Sequence, residues 1–271
     1  MTFATLILLL AVALSATMAV AWSIARHPGR SGWTDAIWSF AIGGAGIAAA
    51  LAPIGGSTTD RQWLVAGLVA LWALRLGVHI AGRTMRGGDD PRYDELKRQW
   101  EDAFERRLFL FLQIQGAAAL LLVLTILVAA RNPAPGLAWS DALGALVLLV
   151  AIVGEGVGDH QLARFRVDPA NKRRICDVGL WGVSRHPNYF FEWLGWAAYA
   201  LIAIGPAGGF GWGWLALSGP AFMYLLLVHV SGIPPLEAHM LRSRGDAFRA
   251  YQARVSAFWP YRPAPAKDPR R

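Results

Sequence analysis

The segment SRHPNYFFEW at residues 184–193 carries the densest group of side chains that could bind a ligand or move a proton. Pro187 can begin a helix at little cost, because the first amide hydrogens of a helix have no intrahelical partner. Residues three and four apart share a helical face, so Asn188, Tyr189 and Glu192 project together from a helix that enters an apolar stretch. An ionisable residue in such a helix is a functional candidate by default. The alternative is that these side chains only reach out to the lipid headgroups.

A second group lies upstream, in the segment EGVGDHQLARFR. Glu155 and Asp159 are four residues apart and Arg166 is seven beyond Asp159, so all three share one helical stripe. Carboxylates accept hydrogen bonds from hydroxyls and amides, whereas a guanidinium forks around phosphate oxygens. With Asn188 and Glu192, this stripe predicts a dinucleotide pocket that includes the loop bases Lys172, Arg173, Arg174 and Arg185. An ion-paired helix end among ordinary cytosolic bases is the alternative.

Polar residues also interrupt the apolar stretches of the N-terminal half, where they should face the bundle interior or a wet cavity. They are Asp35, Trp38, Arg75, His79, Gln113 and Gln115. As a set they could line a pocket that polarises a buried substrate, and we take Asp35, Arg75 and His79 as the catalytic candidates. For any single member, a structural hydrogen bond between helices is the alternative.

Several familiar motifs are missing. The string GAGIAA at 44–49 has the glycine spacing of a dinucleotide-binding turn, but it lies inside an apolar run with no strand before it, which predicts close helix packing. No Walker loop, HExxH or GxSxG occurs, and the spacing of His and acidic residues predicts no metal site. Cys176 is the only cysteine, so the chain cannot form an internal disulfide or a thiolate cluster.

The composition predicts an all-α, polytopic membrane protein. Hydrophobic residues make up 55% of the chain and charged residues 16%, and the mean hydropathy is +0.37. Apolar runs long enough to cross a hydrocarbon core of about 30 Å predict seven transmembrane helices. These runs cover residues 3–22, 35–54, 63–82, 108–130, 138–158, 188–207 and 211–231.

The distribution of bases predicts the orientation. Loops after the first, third and fifth runs, with the C-terminal tail, hold twenty-three Lys and Arg, whereas the other loops hold only Arg61 and Arg131. This asymmetry predicts an outside N-terminus and a cytosolic C-terminus. The net charge of +8 is spread over short clusters between apolar runs, which favours a membrane face or an anionic cofactor over nucleic acid.

Two segments outside the runs have helical patterns. The mixed charges between Arg86 and Arg107 predict a turn and then a helix on the membrane surface. Residues 234–258 place apolar side chains at helical spacing, which predicts an amphipathic helix at the cytosolic surface. Residues 260–271 are rich in proline and charge, and we expect them to be disordered.

The strings SRHPNYFFEWLGW, DHQLARFR and AYQARVSAFWP resemble the C-terminal half of the steroid 5α-reductase family, and more closely its bacterial branch. The resemblance is specific over about residues 150–260. It implies a single seven-helix oxidoreductase domain over residues 1–259, with substrate helices in about 1–130 and an NADPH-binding half in about 138–259. The implied substrate is a lipophilic enone, such as a 3-oxo-Δ4 steroid, that enters from the bilayer. We expect a monomer, and the bacterial branch implies a location in a bacterial inner membrane.

The resemblance also assigns residues. The NADPH-contacting Asn and Glu of the family's sixth helix match Asn188 and Glu192, and the Asp and Arg of its fifth match Asp159 and Arg166. A family His in the last helix matches His239, with Glu237 as a competitor. The expected cofactor set further includes His186 and Tyr189. Glu155 stands where the family has an Asn one turn before the Asp. The family's substrate-binding Gln-Glu pair in the second helix has no clear match in this chain, and Asp35 is the nearest acid. The chain also lacks the family's substrate-facing Tyr of the third helix, and His79 lies near that position.

These assignments imply that a hydride moves from NADPH to the carbon β to a carbonyl, while an acid or donor stabilises the enolate oxygen. A proton is then added at the α carbon. One rival is a methyltransferase that uses S-adenosylmethionine, because isoprenylcysteine carboxyl methyltransferases share an Arg-His-Pro-x-Tyr motif like that at 185–189. A carrier or receptor without enzymatic activity is a further rival, and it would leave the polar clusters without a ligand.

Overall fold

The computed structural model describes residues 1–27, 29–56, 58–87, 91–172 and 174–261, which are helical with no strand among them. The all-α prediction is therefore confirmed. The α-helices in these ranges are α1 (Phe3–Ala25), α2 (Trp33–Leu51), α3 (Asp60–Gly87), α4 (Pro91–Trp100), α5 (Phe104–Ala130), α6 (Trp139–Val167), α7 (Pro187–Ile204), α8 (Ser218–Tyr224), α9 (Ile233–Arg244) and α10 (Asp246–Arg254). Short 3₁₀ segments include Gly179–Gly182 and Gly211–Leu217, and a π-helical turn spans Leu225–Val230.

Six stretches of the described residues are long and apolar enough to cross a membrane, which indicates an integral membrane protein. They are Phe3–Ala25, Trp33–Leu51, Asp60–Gly87, Leu96–Ala130, Trp139–Val167 and Gly211–Arg244. The predicted run 188–207 corresponds to α7, which has 18 residues and is not one of the six. Its first turns contain the polar residues Asn188 and Glu192. The predicted count of seven is therefore approximate.

The chain divides into two compact units. The first comprises Met1–Ala142 with Tyr199–Ser218, and the second comprises Leu143–Ala198 with Gly219–Arg271. The resemblance implied one domain, with a substrate part in about 1–130 and an NADPH-binding part in about 138–259. It did not anticipate that Tyr199–Ser218 belongs with the N-terminal helices.

Small residues let the helices of the first unit pack closely. Gly46 of α2 is an example, because a Cβ there would lie 2.9 Å from Ile126 Cδ1 of α5 and 3.0 Å from Val69 Cγ1 of α3. The string GAGIAA is thus part of a helix interface, as predicted, and not a nucleotide-binding turn.

The charged segment before α5 forms α4, as predicted, but α4 is more than a surface helix. Tyr93 of α4 is buried in a cluster of α1 and α5 residues that includes Met18, Leu108 and Leu112. This contact ties α4 to the core of the first unit.

The prediction of one amphipathic helix at 234–258 is wrong in one respect, because this segment forms two helices, α9 and α10. The break falls at Gly245, whose φ of 53° is a conformation that glycine adopts far more readily than other residues. The apolar face is confirmed, since Phe248, Tyr251 and Val255 are buried together against Met240 and other apolar residues. The predicted disordered tail falls mostly on residues 262–271, which lie outside the described residues.

Candidate functional site

The candidate site of the second unit is built on the close contact between α6 and α7. A Cβ on Gly154 would overlap the ring of Phe191, and one on Gly158 would lie 3.7 Å from Pro187 Cγ and 3.9 Å from Asn188 N. Small residues spaced in this way allow two helix backbones to approach each other. The G-x-x-x-G spacing is visible in the sequence, yet the prediction of the site did not include it.

Two buried acids lie at the same level of this helix pair. Glu155 follows Gly154 on α6 and Glu192 follows Phe191 on α7, and their residues are only 6% and 8% exposed. Trp196 Nε1 donates a 2.9 Å hydrogen bond to Glu192 Oε1. Carboxyl groups at this depth are costly unless hydrogen bonds or opposite charges compensate them. Both acids are therefore unusual residues for this helix pair, and Trp196 is a partner of Glu192 that the sequence did not indicate.

One turn closer to the 168–186 loop, Asp159 of α6 and Asn188 of α7 also lie at one level. Asp159 follows Gly158, whose Cα faces Pro187 and the backbone nitrogen of Asn188. Both side chains are half-buried. The helix pair thus holds the acids Glu155 and Glu192 deep inside it. Asp159 and Asn188 lie nearer its end.

The loop between α6 and α7 is fixed to the helix pair. Gln161 Oε1 accepts a 2.9 Å hydrogen bond from Leu180 N, and Trp181 Nε1 donates one of the same length to Gly158 O. The Tyr251 hydroxyl of α10 donates to Trp181 O at 2.6 Å. The predicted phosphate-binding bases of this region, Arg166, Lys172 and Arg174, are exposed, and Arg173 lies outside the described residues.

Three predicted cofactor residues bind one another. Arg185 clasps the Glu237 carboxylate, with Nε 2.7 Å from Oε1 and Nη2 3.2 Å from Oε2. Its Nη1 donates to the carbonyls of Gln252 and Val255, and Gln252 Nε2 donates to Glu237 Oε2 at 2.7 Å. His186 Nε2 completes the group, 3.0 Å from Glu237 Oε1. We call Arg185, His186, Glu237 and Gln252 the α7–α9 network. Sequence reasoning missed Gln252.

His186 is held between this network and Tyr189. Its ring stacks on that of Tyr189, with centroids 5.4 Å apart and an interplanar angle of 9°. Burial lowers the pKa of His186 below its usual value, although the Glu237 carboxylate acts in the opposite direction. A carboxylate only accepts hydrogen bonds, so the contact assigns a proton to Nε2 of the neutral ring. His239, the alternative to Glu237, is exposed on α9.

The network also holds residues 255–259, which we call the C-terminal strap. Ser184 Oγ donates to Phe258 O at 2.9 Å, and Arg185 N donates to Ser256 O at 2.8 Å. Rings of the strap pack edge to face with α7, as in the pair Trp193 and Trp259, whose centroids are 5.2 Å apart. The segment at 184–193 therefore anchors the C-terminal part of its own unit as well as carrying the candidate polar groups.

The catalytic candidates lie in the first unit on α2 and α3. Asp35 in the first turn of α2 and Arg75 of α3 are half-buried, and His79 of α3 is exposed. Thr84 Oγ1 donates to Gly32 O at 3.0 Å, which ties the end of α3 to the start of α2. These two helix segments therefore bring Asp35 and His79 to the same end of the unit.

For Trp38 and Gln113 the structure supports the alternative, which is a structural hydrogen bond between helices. Trp38 Nε1 donates to Gln115 O at 3.0 Å, and Ser15 Oγ donates to Gln113 Oε1 at 2.7 Å. Both are contacts between helices. The buried Oε1 of Gln115 accepts no hydrogen bond from the described residues. In the same ranges, no three His, Cys, Asp or Glu residues are grouped so that they could hold a metal ion.

The family model described as "Protein of unknown function (DUF1295)" matches residues 21–255, which include every candidate residue named above. No curated protein and no solved structure matches the chain. The matched family is related to steroid 5α-reductase-like membrane proteins. Because the match covers most of the sequence, this all-helical membrane protein belongs to the DUF1295 family.

Proposed function

We propose that this protein is a membrane-embedded reductase that uses NADPH to reduce the carbon–carbon double bond of a lipophilic enone, such as a 3-oxo-Δ4 steroid. The observation that carries the proposal is the α6–α7 pair, which holds Glu155 and Glu192 at one level and Asp159 and Asn188 at the next. A helix pair of a membrane protein rarely buries so many polar groups without a functional reason.

The chemistry of these side chains fits a dinucleotide. Carboxylates and an amide suit ribose hydroxyls and a carboxamide, which donate and accept hydrogen bonds. The exposed bases Arg166, Lys172 and Arg174, at the end of α6 and in the following loop, suit phosphate oxygens. The α7–α9 network has a different role, because Arg185 and Glu237 already satisfy each other. We assign to this network the positioning of the first turn of α7, and with it Asn188.

NADPH supplies a hydride when it is bound. The residues of the chain would hold the cofactor, orient the enone and stabilise the negative charge that develops on its oxygen. For the last task we propose one of Asp35, Arg75 and His79, since a protonated acid, a guanidinium or an imidazole can each donate a hydrogen bond to that oxygen.

An apolar groove of about 340 Å³ is in keeping with a lipophilic substrate. Leu149, Val150, Val153, Gly154 and Phe191 line it. Gly154 and Phe191 directly precede the buried acids Glu155 and Glu192 in the chain. A molecule that partitions into lipid could therefore approach the polar groups of the helix pair from the bilayer.

The test is nucleotide-dependent protection of the detergent-purified protein against thermal unfolding. NADPH, NADH and S-adenosylmethionine are compared on the wild type, on Glu192→Gln and on Arg166→Ala. A ligand at a hundred times its Kd stabilises the folded state by about 2.7 kcal/mol, so binding raises the Tm. We expect NADPH to raise the wild-type Tm and each substitution to reduce the rise.

Arg249→Ala is the matched control, because Arg249 is an exposed base whose ion-pair partner, Asp246, is exposed as well. This variant should respond to NADPH as the wild type does. Protection by S-adenosylmethionine alone would replace the reductase with the methyltransferase. Protection by none of the three ligands would favour a carrier or receptor.

A further inference from the structure

Hydrogen bonds gather several helix termini at one end of the first unit. Arg61 at the start of α3 pairs with Asp141 at the start of α6, with Nε and Oδ1 2.8 Å apart. Asn132, just after α5, donates to Ile202 O and Ala203 O of α7 at 3.0 and 3.1 Å. Arg131 donates to Ala52 O and Ile54 O in the loop after α2. We call this the tied end, and the distribution of bases predicts that it faces outside.

Four tryptophans are exposed at the tied end. Trp63 is in the first turn of α3, Trp139 is the first residue of α6, and Trp212 and Trp214 belong to the 3₁₀ segment that opens the last apolar span. Between 53% and 71% of each of these residues is exposed. Gly213, between the last two, packs against Ala203 O of α7 and so places this segment at the same end.

The tied end exposes almost no charge. Arg61 and Asp141 neutralise each other with only 3% and 1% of their side chains exposed, and Arg131 binds backbone carbonyls. The loops 52–59, 132–138 and 205–210 contain no charged residue, and the neighbouring Asp60 at the start of α3 is exposed. A soluble partner that binds by electrostatic attraction would therefore find few exposed charges at this end.

The four indole N–H groups make few hydrogen bonds to the described residues. Trp63 Nε1 donates to Thr58 Oγ1 at 3.2 Å, but no described residue accepts a hydrogen bond from the indoles of Trp139, Trp212 or Trp214. An indole combines a large apolar ring with one donor, which suits the boundary where acyl chains meet ester carbonyls. Each of the four rings lies near one end of its own apolar span.

From these observations we propose that Trp63, Trp139, Trp212 and Trp214 form an interfacial anchor that binds the glycerol–ester region of phospholipids and sets the depth of the tied end in the bilayer. The rings come from three separate elements, as expected for contact with a surrounding lipid layer. The anchor is independent of the proposed reductase activity.

The test is depth-dependent fluorescence quenching of the full chain reconstituted in phosphatidylcholine vesicles. Each anchor tryptophan is replaced by phenylalanine, singly and all together, and the emission lost relative to the wild type is assigned to the replaced ring. The emission of the other tryptophans cancels in this difference. The quenchers are a phosphatidylcholine with a nitroxide on its headgroup, lipids brominated near the middle or near the methyl end of the acyl chain, and aqueous iodide.

We expect the emission of the anchor rings to be quenched most by the headgroup nitroxide and least by bromine near the methyl end. Trp196→Phe is the control, because Trp196 is 1% exposed and its emission should resist every quencher. Strongest quenching by bromine near the methyl end would overturn the anchor, since the rings would then lie in the hydrocarbon core. Quenching by iodide with no response to lipid quenchers, or protection from all quenchers by a second copy of the chain, would also overturn it.

Discussion

Arg61 and Asp141 form a buried, two-pronged ion pair between the starts of α3 and α6, with nitrogen–oxygen distances of 2.8 and 2.9 Å. The remaining donors of Arg61 bind the carbonyls of Asn132, Ala134 and Gly136 at 2.6 to 2.9 Å. Arg61 therefore acts as a clamp on the loop between α5 and α6. One of the two bases of the predicted outer loops is thus structural, which sharpens the charge asymmetry that predicts the orientation.

Replacement of Arg61 by Met should destabilise the protein by about 3–5 kcal/mol, because it leaves the Asp141 carboxylate buried without its partner. Asp141→Asn should reduce the stability by a similar amount. The double variant Arg61→Met with Asp141→Asn should lose less than the sum of the single losses, since neither charge is then left alone. Thermal unfolding in detergent measures all three. Strict additivity would show that the two side chains contribute independently.

Disruption of the α7–α9 network should loosen the C-terminal strap. Glu237→Ala leaves Arg185 without its carboxylate, and we expect a loss of about 1–3 kcal/mol in stability. The chain after Gly245 should become more sensitive to limited proteolysis. His239→Ala is the matched control on the same helix, because His239 is exposed, and it should change neither property. Equal sensitivity of the two variants would contradict the assigned role of the network.

His186 should make stability depend on pH. Burial lowers the pKa of the folded-state imidazole, so as the pH falls through about 6.5 the unfolded chain binds a proton that the folded chain does not. Stability is therefore retained above this pH and decreases below it. Tm measured from about pH 8 to about pH 5 should fall less in His186→Gln than in the wild type. An identical decrease would show that other groups cause it.

Gly154→Ala should force α6 and α7 apart, because the added methyl group overlaps the Phe191 ring. We expect a loss of about 1–3 kcal/mol in stability from overpacking. Gly156→Ala is the control, since a Cβ there meets no atom within 4 Å. Both variants are compared by thermal unfolding. If Gly156→Ala is as harmful as Gly154→Ala, then overlap with the Phe191 ring is not the cause, since helix propensity alone favours alanine over glycine.

Trp196→Phe removes the hydrogen bond to Glu192 but keeps an aromatic ring in the same place. If Glu192 holds the cofactor, the variant should bind NADPH more weakly by about tenfold or more, since a hydrogen bond to a charged group contributes about 1.5–3 kcal/mol and about 1.4 kcal/mol is a factor of ten in Kd. Titration calorimetry in detergent measures the Kd. Trp193→Phe keeps the Glu192 contact and should leave the Kd unchanged. Equal weakening in both variants would point to a general effect on the fold of α7.

The sequence alone determined the class of the protein and most of its helices. Long uncharged runs predict membrane helices because hydrocarbon cannot satisfy backbone polar groups, and periodic apolar residues identified the buried face of α10. The polar groups of 155–166 and 184–193 stood out for the same reason, because Glu155 and Glu192 interrupt apolar segments. These patterns depend only on residues that are close in the chain, so they can be recognised without knowledge of the fold.

The tertiary structure decided how those groups are used. Arg185 was predicted to bind phosphate, but it is paired with Glu237, fifty-two residues away in the chain. Arg61 was counted as a loop base, but it is paired with Asp141, eighty residues away. Whether a charged side chain faces a ligand, the lipid or another residue depends on which helix ends meet. That arrangement follows from the packing of the whole chain, because the burial that makes such a pair strong does not exist in any isolated segment.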